Sequence, residues 1–141
     1  MNATTNETAA RLRHAITRMN RRLRQSALGG VTPAQASMLA AVNRLKRPSL
    51  GDLAAAEQVQ PPSVTRLVRD MERLGLIERV VDDTDRRCTR VTLTALGRRE
   101  LAAIRQRKDE FLDRALRALP EEDRRRADEL AVLLETILEQ S

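Results

Sequence analysis

The hydrophobic period of this chain changes from 3.6 residues to two at Gly75, and this change constrains the fold more than any other feature. Upstream of Gly75, apolar residues recur at helical spacing, at Val64, Leu67, Val68, Met71 and Leu74. Downstream, two short runs with the period of a strand cover residues 77–81 and 89–93. A polar segment that begins with Asp82-Asp83-Thr84-Asp85 separates the two runs. A β-hairpin with a polar tip is therefore predicted directly after a helix.

Start and stop signals divide the rest of the chain into helices. The first helix is predicted over residues 5–27, where an apolar stripe has spacings of 3, 4, 3 and 4, and Gly29-Gly30 ends it. Thr32 and Gln35 form a capping box for the second helix, and Ser49 and Thr94 cap the third and fifth. The later helices are predicted at about residues 33–45, 50–58, 61–74, 95–118 and 121–139. The chain is therefore mainly α, in the order α-α-α-α-β-β-α-α.

The composition is typical of one small helical domain without a catalytic or metal centre. The chain has 141 residues, of which 1% are aromatic. No apolar run approaches the length of about 18 residues that a membrane helix needs, and the polar first ten residues do not resemble a secretory signal. One Cys and one His exclude an internal disulfide framework and most metal-binding or catalytic constellations. We expect a cytoplasmic protein that is not an enzyme and needs no cofactor or metal.

The charge is unevenly distributed along the chain and indicates a polyanionic partner. The net charge is +6; the first 51 residues carry +8 and the remaining 90 carry −2. Arg accounts for 24 of the 26 basic residues, which suits contacts with phosphates and guanine edges. Codon bias in a GC-rich genome would also favour Arg over Lys, but it would not explain the net charge. A nucleic acid is therefore the leading partner.

Residues 49–93 have the order of a winged helix-turn-helix: a short helix, a turn, a second helix and a hairpin. Free N–H groups at the start of a helix can approach phosphate, and its exposed face can enter the major groove. The candidate contact residues on the fourth helix are Pro62, Ser63, Thr65, Arg66, Arg69 and Arg73. The alternative is an ordinary solvated face, on which Asp70 and Glu72 are the intrahelical partners of the arginines.

The tip of the hairpin carries a second group of candidate contacts, Asp85, Arg86 and Arg87. An Arg on a projecting hairpin can enter a narrow minor groove, where the negative potential is enhanced. Asp85 can brace one guanidinium through a charge-assisted hydrogen bond. Asp82 and Asp83 would repel phosphate unless they are paired. The alternative is a polar turn whose charges compensate one another.

Several short motifs resemble the MarR family of bacterial transcription regulators. In chain order they are PSVTRLV at residues 62–68, LGLIER at 74–79, DRR at 85–87 and VTLTALG at 91–97. The order and lengths of the helices resemble the family over the whole chain. The resemblance implies a sequence-specific DNA-binding regulator, expected to be a repressor, that binds a pseudo-palindromic operator in double-stranded DNA as a homodimer.

The resemblance also assigns roles to parts of the chain. It implies that residues 31–97 form the DNA-binding winged domain and that residues 1–30 and 98–141 form a helical dimerisation region. The fourth helix would be the recognition helix, and Asp85 and Arg87 match an Asp-x-Arg wing motif whose Arg usually enters the minor groove. Two features depart from the family: Arg69 precedes Asp70 where the family often has the acid first, and Pro61-Pro62 replaces a more polar helix start.

The terminal helices suggest a dimer and the place of a small-molecule effector. Their apolar stripes exceed what one small winged domain can bury. Family regulators often release DNA on binding a phenolic or anionic compound, which the resemblance places between the dimer helices and the winged domain. The scarcity of aromatic residues argues against a pocket that stacks on rings. Arg11, Arg13 and His14 can meet an anion, although a solvated face is favoured, and a redox role for Cys88 is disfavoured.

Two other classes of binding function compete with a regulator. A nucleoid-type or RNA-binding module would use the basic N-terminal half without reading sequence. A protein-interaction scaffold would carry a winged domain that no longer contacts DNA. A regulator differs from the first by preferring specific over random DNA by roughly a thousandfold or more. It differs from the second by losing affinity steeply as the salt concentration rises.

Overall fold

The computed structural model describes residues 4–141, and within them it contains six helices and one two-stranded antiparallel sheet. The elements are α1 (Thr5–Ala27), α2 (Pro33–Leu45), α3 (Leu50–Glu57), α4 (Pro61–Arg73), β1 (Ile77–Val81), β2 (Thr89–Leu93), α5 (Ala95–Arg117) and α6 (Glu121–Glu139). The predicted order is confirmed, and each element ends within one residue of its predicted bounds. The mainly helical winged helix-turn-helix fold is confirmed with it.

Side-chain caps fix where four of the helices begin. The hydroxyls of Thr4, Thr32 and Ser49 each accept the N–H of the residue three positions later, whose side chain accepts the N–H of the cap. Thr94 caps α5 without the reciprocal bond, because Gly97 occupies the third position. Such a cap contributes about 1 kcal/mol to stability. The caps predicted at Thr32, Ser49 and Thr94 are confirmed.

The core lies where α4 packs against α2, α3 and the hairpin. Val64, Val68 and Met71 of α4 are buried, as predicted. The other large side chains that are fully buried around them include Met38, Leu39, Leu53 and Val91. Burial of a side chain of this size contributes about 1.5–3 kcal/mol. The apolar face of α4 is thus held by all the neighbouring elements of the winged domain.

Two positions of the predicted fourth helix that are expected to be buried lie at or outside the edge of this core. Leu67 is half-buried, and Leu74 is 53% exposed. The prediction for Leu74 is wrong because α4 ends at Arg73 and the chain turns at Gly75, whose φ is 74°. After that turn Leu76 enters the core in place of Leu74, with only 4% exposure.

The hairpin is attached to the start of α3 as well as to the end of α4. β1 and β2 pair antiparallel over their full length. Ser49, the cap of α3, forms an isolated bridge with Arg90 of β2. The N–H of Val91 donates to the carbonyl oxygen of Pro48 at 2.9 Å. The wing therefore projects from a base that includes the first residues of the helix-turn-helix.

The terminal helices leave much of their apolar surface uncovered. α1 packs along α5. Among the residues described, α6 contains no buried side chain. The large apolar side chains exposed on α1 and α6 are Ile16, Met19, Leu130, Val132, Leu133, Ile137 and Leu138. Exposed apolar surface of this extent is typical of an interface.

We expect Gly97→Ala to destabilise the fold. A Cβ at Gly97 would overlap the carbonyl oxygen of Leu76, which is held in place by the N–H of Thr94. The free energy of unfolding in urea should fall by about 1–3 kcal/mol. Gly51→Ala is the matched control, because its Cβ would meet only the Ser49 hydroxyl, at an ordinary 3.7 Å. That change should leave stability unchanged or raise it slightly. Equal effects of the two substitutions would contradict the packing described.

Candidate nucleic-acid interface

The first turn of α4, at residues 61–64, offers no free backbone N–H to a ligand. The helix begins with Pro61 and Pro62, which have no N–H group. The next two N–H groups, of Ser63 and Val64, both donate to the carbonyl oxygen of Gln60. The prediction that free N–H groups at the start of a helix approach phosphate is therefore wrong for α4. Any contact that this helix makes with a nucleic acid comes from its side chains.

The polar face of α4 lies on the surface of the domain, as the sequence predicts. The exposed candidate residues on this face are Pro62, Ser63, Arg66, Arg69 and Arg73. Thr65 is half-buried, and its hydroxyl donates to the carbonyl oxygen of Pro61 at 3.1 Å. The hydroxyl proton of Thr65 is therefore already committed, and its oxygen remains available as an acceptor.

The acids of α4 compensate only part of this basic face. Arg73 Nη1 lies 3.4 Å from Asp70 Oδ1 on the solvent-exposed surface. Glu72 instead accepts a hydrogen bond from Arg79 of β1 at 2.9 Å, which raises the pKa of Arg79 and joins α4 to the hairpin. The two other arginines of the face have no carboxylate within 4.0 Å among residues 4–141. A self-compensated solvated face thus describes Arg73 alone.

The turn at the tip of the wing holds Arg87 through Asp85. The N–H of Cys88 donates to the carbonyl oxygen of Asp85 at 2.9 Å. The N–H of Arg87 donates to Asp85 Oδ1 at 3.1 Å, and Arg87 Nε lies 3.5 Å from the same oxygen. The predicted brace is confirmed, with Arg87 as its guanidinium. The Arg87 side chain is 94% exposed, and Arg86 is exposed beside it.

Arg90 of β2 compensates two acids at the base of the wing. Its Nε donates to Asp82 Oδ2 at 3.0 Å, and its Nη1 lies 3.6 Å from Asp52 Oδ2 at the start of α3. The other oxygen of Asp82 accepts the N–H and the hydroxyl of Thr84, at 3.1 and 3.0 Å. The expected repulsion of phosphate by unpaired acids therefore does not arise at Asp82, whereas Asp83 is exposed.

These hydrogen bonds keep the base of the wing ionised. Donation from Thr84 and Arg90 lowers the pKa of Asp82, and donation from Ser49 lowers the pKa of Asp52. The hydrogen bond to Asp82 raises the pKa of Arg90. One cation and two anions are therefore present together at neutral pH, and their mutual contacts do not depend on pH in that range.

The contact between Arg90 and Asp82 could be read from the hairpin register. Val80 pairs with Arg90, and Asp82 lies two residues after Val80, one residue past the end of β1, so that it continues the same face of the hairpin. Residues in this relation are diagonal neighbours within reach of long side chains. The contact with Asp52 could not be found in this way, because it depends on how β2 is attached to α3.

A cavity of about 220 Å³ lies between α1, α2 and α5, where the terminal helices meet the winged domain. Its apolar wall includes Leu28, Leu101 and Ile104. Its charged lining consists of Arg24, Arg44, Glu57, Arg105 and Lys108. Glu57 accepts the hydroxyl of Ser37 at 2.6 Å. The cations Arg11, Arg13 and His14, which the sequence suggests for an anion, do not belong to this lining.

Comparison with known proteins assigns the chain to a family. A family model described as "MarR family" matches residues 29–87. A crystal structure of a putative transcriptional regulator from Pseudomonas aeruginosa has 35% sequence identity and a TM-score of 0.79, and the match covers 99% of each chain. The chain belongs to the MarR family. It is a transcriptional regulator and not an enzyme.

Other relatives agree with membership of the MarR family. An HTH-type transcriptional regulator of Mycobacterium tuberculosis is 29% identical over 117 residues, which is 82% of each chain. A mutant of Staphylococcus aureus MepR, solved bound to an oligodeoxyribonucleotide, is 25% identical with a TM-score of 0.69 and 99% coverage of both chains. A transcriptional regulator from Thermotoga maritima is 20% identical and shares the fold, with a TM-score of 0.82.

The departures from the MarR-family motif alter the surface of α4. Arg69 is exposed and Asp70 is half-buried. The reversed order of these two residues therefore places the arginine, and not the acid, at the more exposed position. Pro61 and Pro62 are both exposed and make the start of the helix partly apolar. This regulator therefore presents a more basic helix face and a less polar helix start than the family motif implies.

Among the described residues of this MarR-family chain, the His, Cys, Asp and Glu side chains do not form a metal site. In the part of the chain that the structure describes, no group of three or more His, Cys, Asp or Glu is arranged to hold a metal ion. No helix of residues 4–141 is long and apolar enough to cross a membrane. Cys88 is a free, half-buried thiol at the end of the wing loop.

Proposed function

We propose that this MarR-family regulator binds double-stranded DNA sequence-specifically as a homodimer, recognises a pseudo-palindromic operator and represses transcription. The observation that carries the proposal is the exposed row of arginines on α4 beside a wing that presents two more. A helix fits the major groove of DNA, where Arg can bind guanine through two hydrogen bonds. The DNA-bound MepR relative, at 25% identity, supports the same mode of binding.

Different side chains of α4 contact different parts of the DNA, according to their surroundings in the protein. Arg66 and Arg69 reach base edges, because no carboxylate of the described residues competes for them, and Arg73 reaches phosphate. The start of the helix offers an apolar surface at Pro62, which suits a thymine methyl group. The hydroxyls of Ser63 and Thr65 supply hydrogen bonds to phosphates or base edges.

The wing supplies a second contact in the adjacent minor groove. Arg87 is the group that enters the groove, since Asp85 orients it and its side chain is almost fully exposed. Arg86 lies at the same tip and adds attraction for the narrow, negative groove. Each subunit of a dimer would then contact two grooves, and these contacts would fix the position of the dimer on the two half-sites of the operator.

The homodimer rests on complementary surfaces of the terminal helices. A groove beside α1 is lined by Arg18, Arg21, Arg22, Met19 and Phe111. α6 carries seven acids against three arginines, and its apolar stripe consists of Leu130, Leu133, Leu134 and Ile137. An acidic helix with an apolar stripe from a second copy therefore fits this basic, partly apolar groove. The dimerisation region consists of residues 1–30 and 98–141, and residues 31–97 bind DNA. Residues 1–3 lie outside the described part of the chain.

The effector proposed for this regulator is a small organic anion. The cavity between α1, α2 and α5 lies between the proposed dimerisation and DNA-binding regions, where a ligand can alter their relative position. Four cations against Glu57 in its lining favour an anion, and its aliphatic walls favour a compound with an apolar body. A cytoplasmic location is proposed with this function.

Replacement of Arg66 tests the function directly. We expect Arg66→Ala to weaken operator binding by about 1–3 kcal/mol, because it removes a groove-facing cation. The measurement is a gel-shift titration against the upstream intergenic duplex of the protein's own gene, with excess random duplex. Arg125→Ala, an exposed arginine of α6, is the charge-matched control and should bind as the wild type does. Complexes lost to the competitor would mean that the operator lies elsewhere or that the protein is of the nucleoid type, and a random-sequence selection separates these two results. Weak binding that ignores salt would favour a scaffold.

Replacement of Ile137 tests the dimer. Ile137 is 46% exposed within the apolar stripe of α6, whereas Val132 is 56% exposed on the opposite side of the same helix. We expect Ile137→Lys to yield a monomer in light scattering coupled to size exclusion, because it would bury an unpaired cation against the arginines of the groove. Val132→Lys should remain a dimer. Dimers of Ile137→Lys would contradict the proposed interface.

Small carboxylates test the effector cavity. We expect benzoate or hexanoate to raise the melting temperature and to release DNA, since a ligand that binds the native state stabilises it. Arg24→Gln should abolish the shift in melting temperature because Arg24 lines the cavity. Arg13→Gln, on the same helix but outside the lining, should retain it. Loss of the shift in both variants, or in neither, would contradict this assignment.

A further inference from the structure

We propose that Arg90 is a positioning residue, which fixes the direction of the wing relative to the helix-turn-helix so that Arg87 reaches the minor groove. The inference rests on the DNA-binding function proposed above and adds to it a residue that does not itself touch DNA. Its basis is the place of one guanidinium between carboxylates from two different structural elements.

A continuous chain of polar contacts runs from the wing loop to the start of α3. Thr84 donates twice to one oxygen of Asp82, and Arg90 Nε donates to the other at 3.0 Å. Arg90 Nη1 faces Asp52 at 3.6 Å, and Asp52 in turn accepts the N–H of Ser49 at 2.9 Å. The loop that carries the DNA-contacting arginines is thereby connected through side chains to the first helix of the helix-turn-helix.

Backbone hydrogen bonds hold the base of the wing, but they do not tie its loop to the helix-turn-helix. The N–H of Val91 donates to the carbonyl oxygen of Pro48, whereas regular pairing of the two strands ends at Val81 and Thr89. Within the described residues, the backbone bonds of the loop beyond that point stay inside the hairpin: the N–H of Asp82 donates to the Cys88 carbonyl oxygen at 3.0 Å, and the N–H of Cys88 donates to that of Asp85. The side chain of Arg90 adds a contact from the end of the wing toward α3.

The surroundings of Arg90 favour a defined geometry over loose charge compensation. Its side chain is 31% exposed and that of Asp82 is 18% exposed, so both are largely shielded from solvent. The planar guanidinium presents Nε and Nη1 in different directions and can meet two carboxylates at once. A lysine at this position would carry the same charge but could not hold both acids in the same arrangement.

A double-mutant cycle measures whether the wing contact depends on Arg90. The probe is a duplex recovered by the wild-type protein from a random-sequence selection. We expect Arg87→Ala to weaken binding of this duplex by about tenfold in the wild type and by less than about threefold in the Arg90→Gln background. Arg90→Lys should behave like Arg90→Gln although it keeps the charge. The matched control is Arg117→Gln, which removes an arginine paired with Asp113 at 2.7 Å on α5. In this background Arg87→Ala should still weaken binding by about tenfold.

Asp82→Asn separates positioning from electrostatic compensation. It keeps Arg90 and an oxygen that can accept the hydrogen bonds from Thr84, but it removes the carboxylate and makes the wing more positive. A role in charge compensation alone therefore predicts tighter binding, with Arg87→Ala weakening it as much as before. Positioning instead predicts a reduced Arg87 effect, together with loss of hydroxyl-radical protection in the minor groove and retained protection of guanine N7 in the major groove. This variant also decides the question if Arg90→Gln does not fold in a thermal melt.

The outcomes distinguish this inference from the function on which it rests. If the wild type selects no duplex, the DNA-binding proposal fails and the role of Arg90 fails with it. If the wild type selects a duplex but Arg87→Ala retains its full effect in Arg90→Gln, Arg90→Lys and Asp82→Asn, the wing binds independently of Arg90. That result overturns the positioning role alone.

Discussion

Burial of one face of α4 is the constraint on which the rest of the winged domain depends. Because an α-helix has 3.6 residues per turn, packing Val64, Val68 and Met71 into the core fixes the direction of every other side chain on the helix. The arginines that follow the opposite face are therefore displayed as a consequence of packing. The elements that pack against α4 include α2, α3 and β1, and the other strand of the wing, β2, in turn packs against α2 and α3. Burial of this face of α4 therefore both stabilises the winged domain and places the arginines on its surface.

The start of α4 shows how local chemistry restricts the form of recognition. Two prolines and the carbonyl of Gln60 leave no N–H group of the first turn available, so a phosphate cannot be held by the backbone there. The positive charge of the surface then has to come from side chains, in particular Arg66 and Arg69. Guanidinium groups are suited to this role because they bind bases and phosphates with defined geometry.

The uneven charge of the sequence acquires a structural meaning in the terminal helices. The basic N-terminal part places cations along α1, whereas α6 carries a net negative charge and an uncovered apolar stripe. The two surfaces occur on the same chain, so a second copy can satisfy both at once in a symmetric arrangement. Of these two helices, α1 also lines the cavity between α1, α2 and α5.

Periodicity, caps and prolines act over a few residues, and the order and bounds of the elements therefore follow from the sequence alone. The exposed residues of α4 follow in the same way from the spacing within one helix. The sequence also indicated that Asp85 braces a guanidinium, but the structure was needed to show that this guanidinium belongs to Arg87. Tertiary structure decided that Leu76 rather than Leu74 enters the core, where the chain turns at Gly75. It also decided that Arg90 meets Asp52, because residues 38 positions apart become neighbours only when β2 lies against the start of α3.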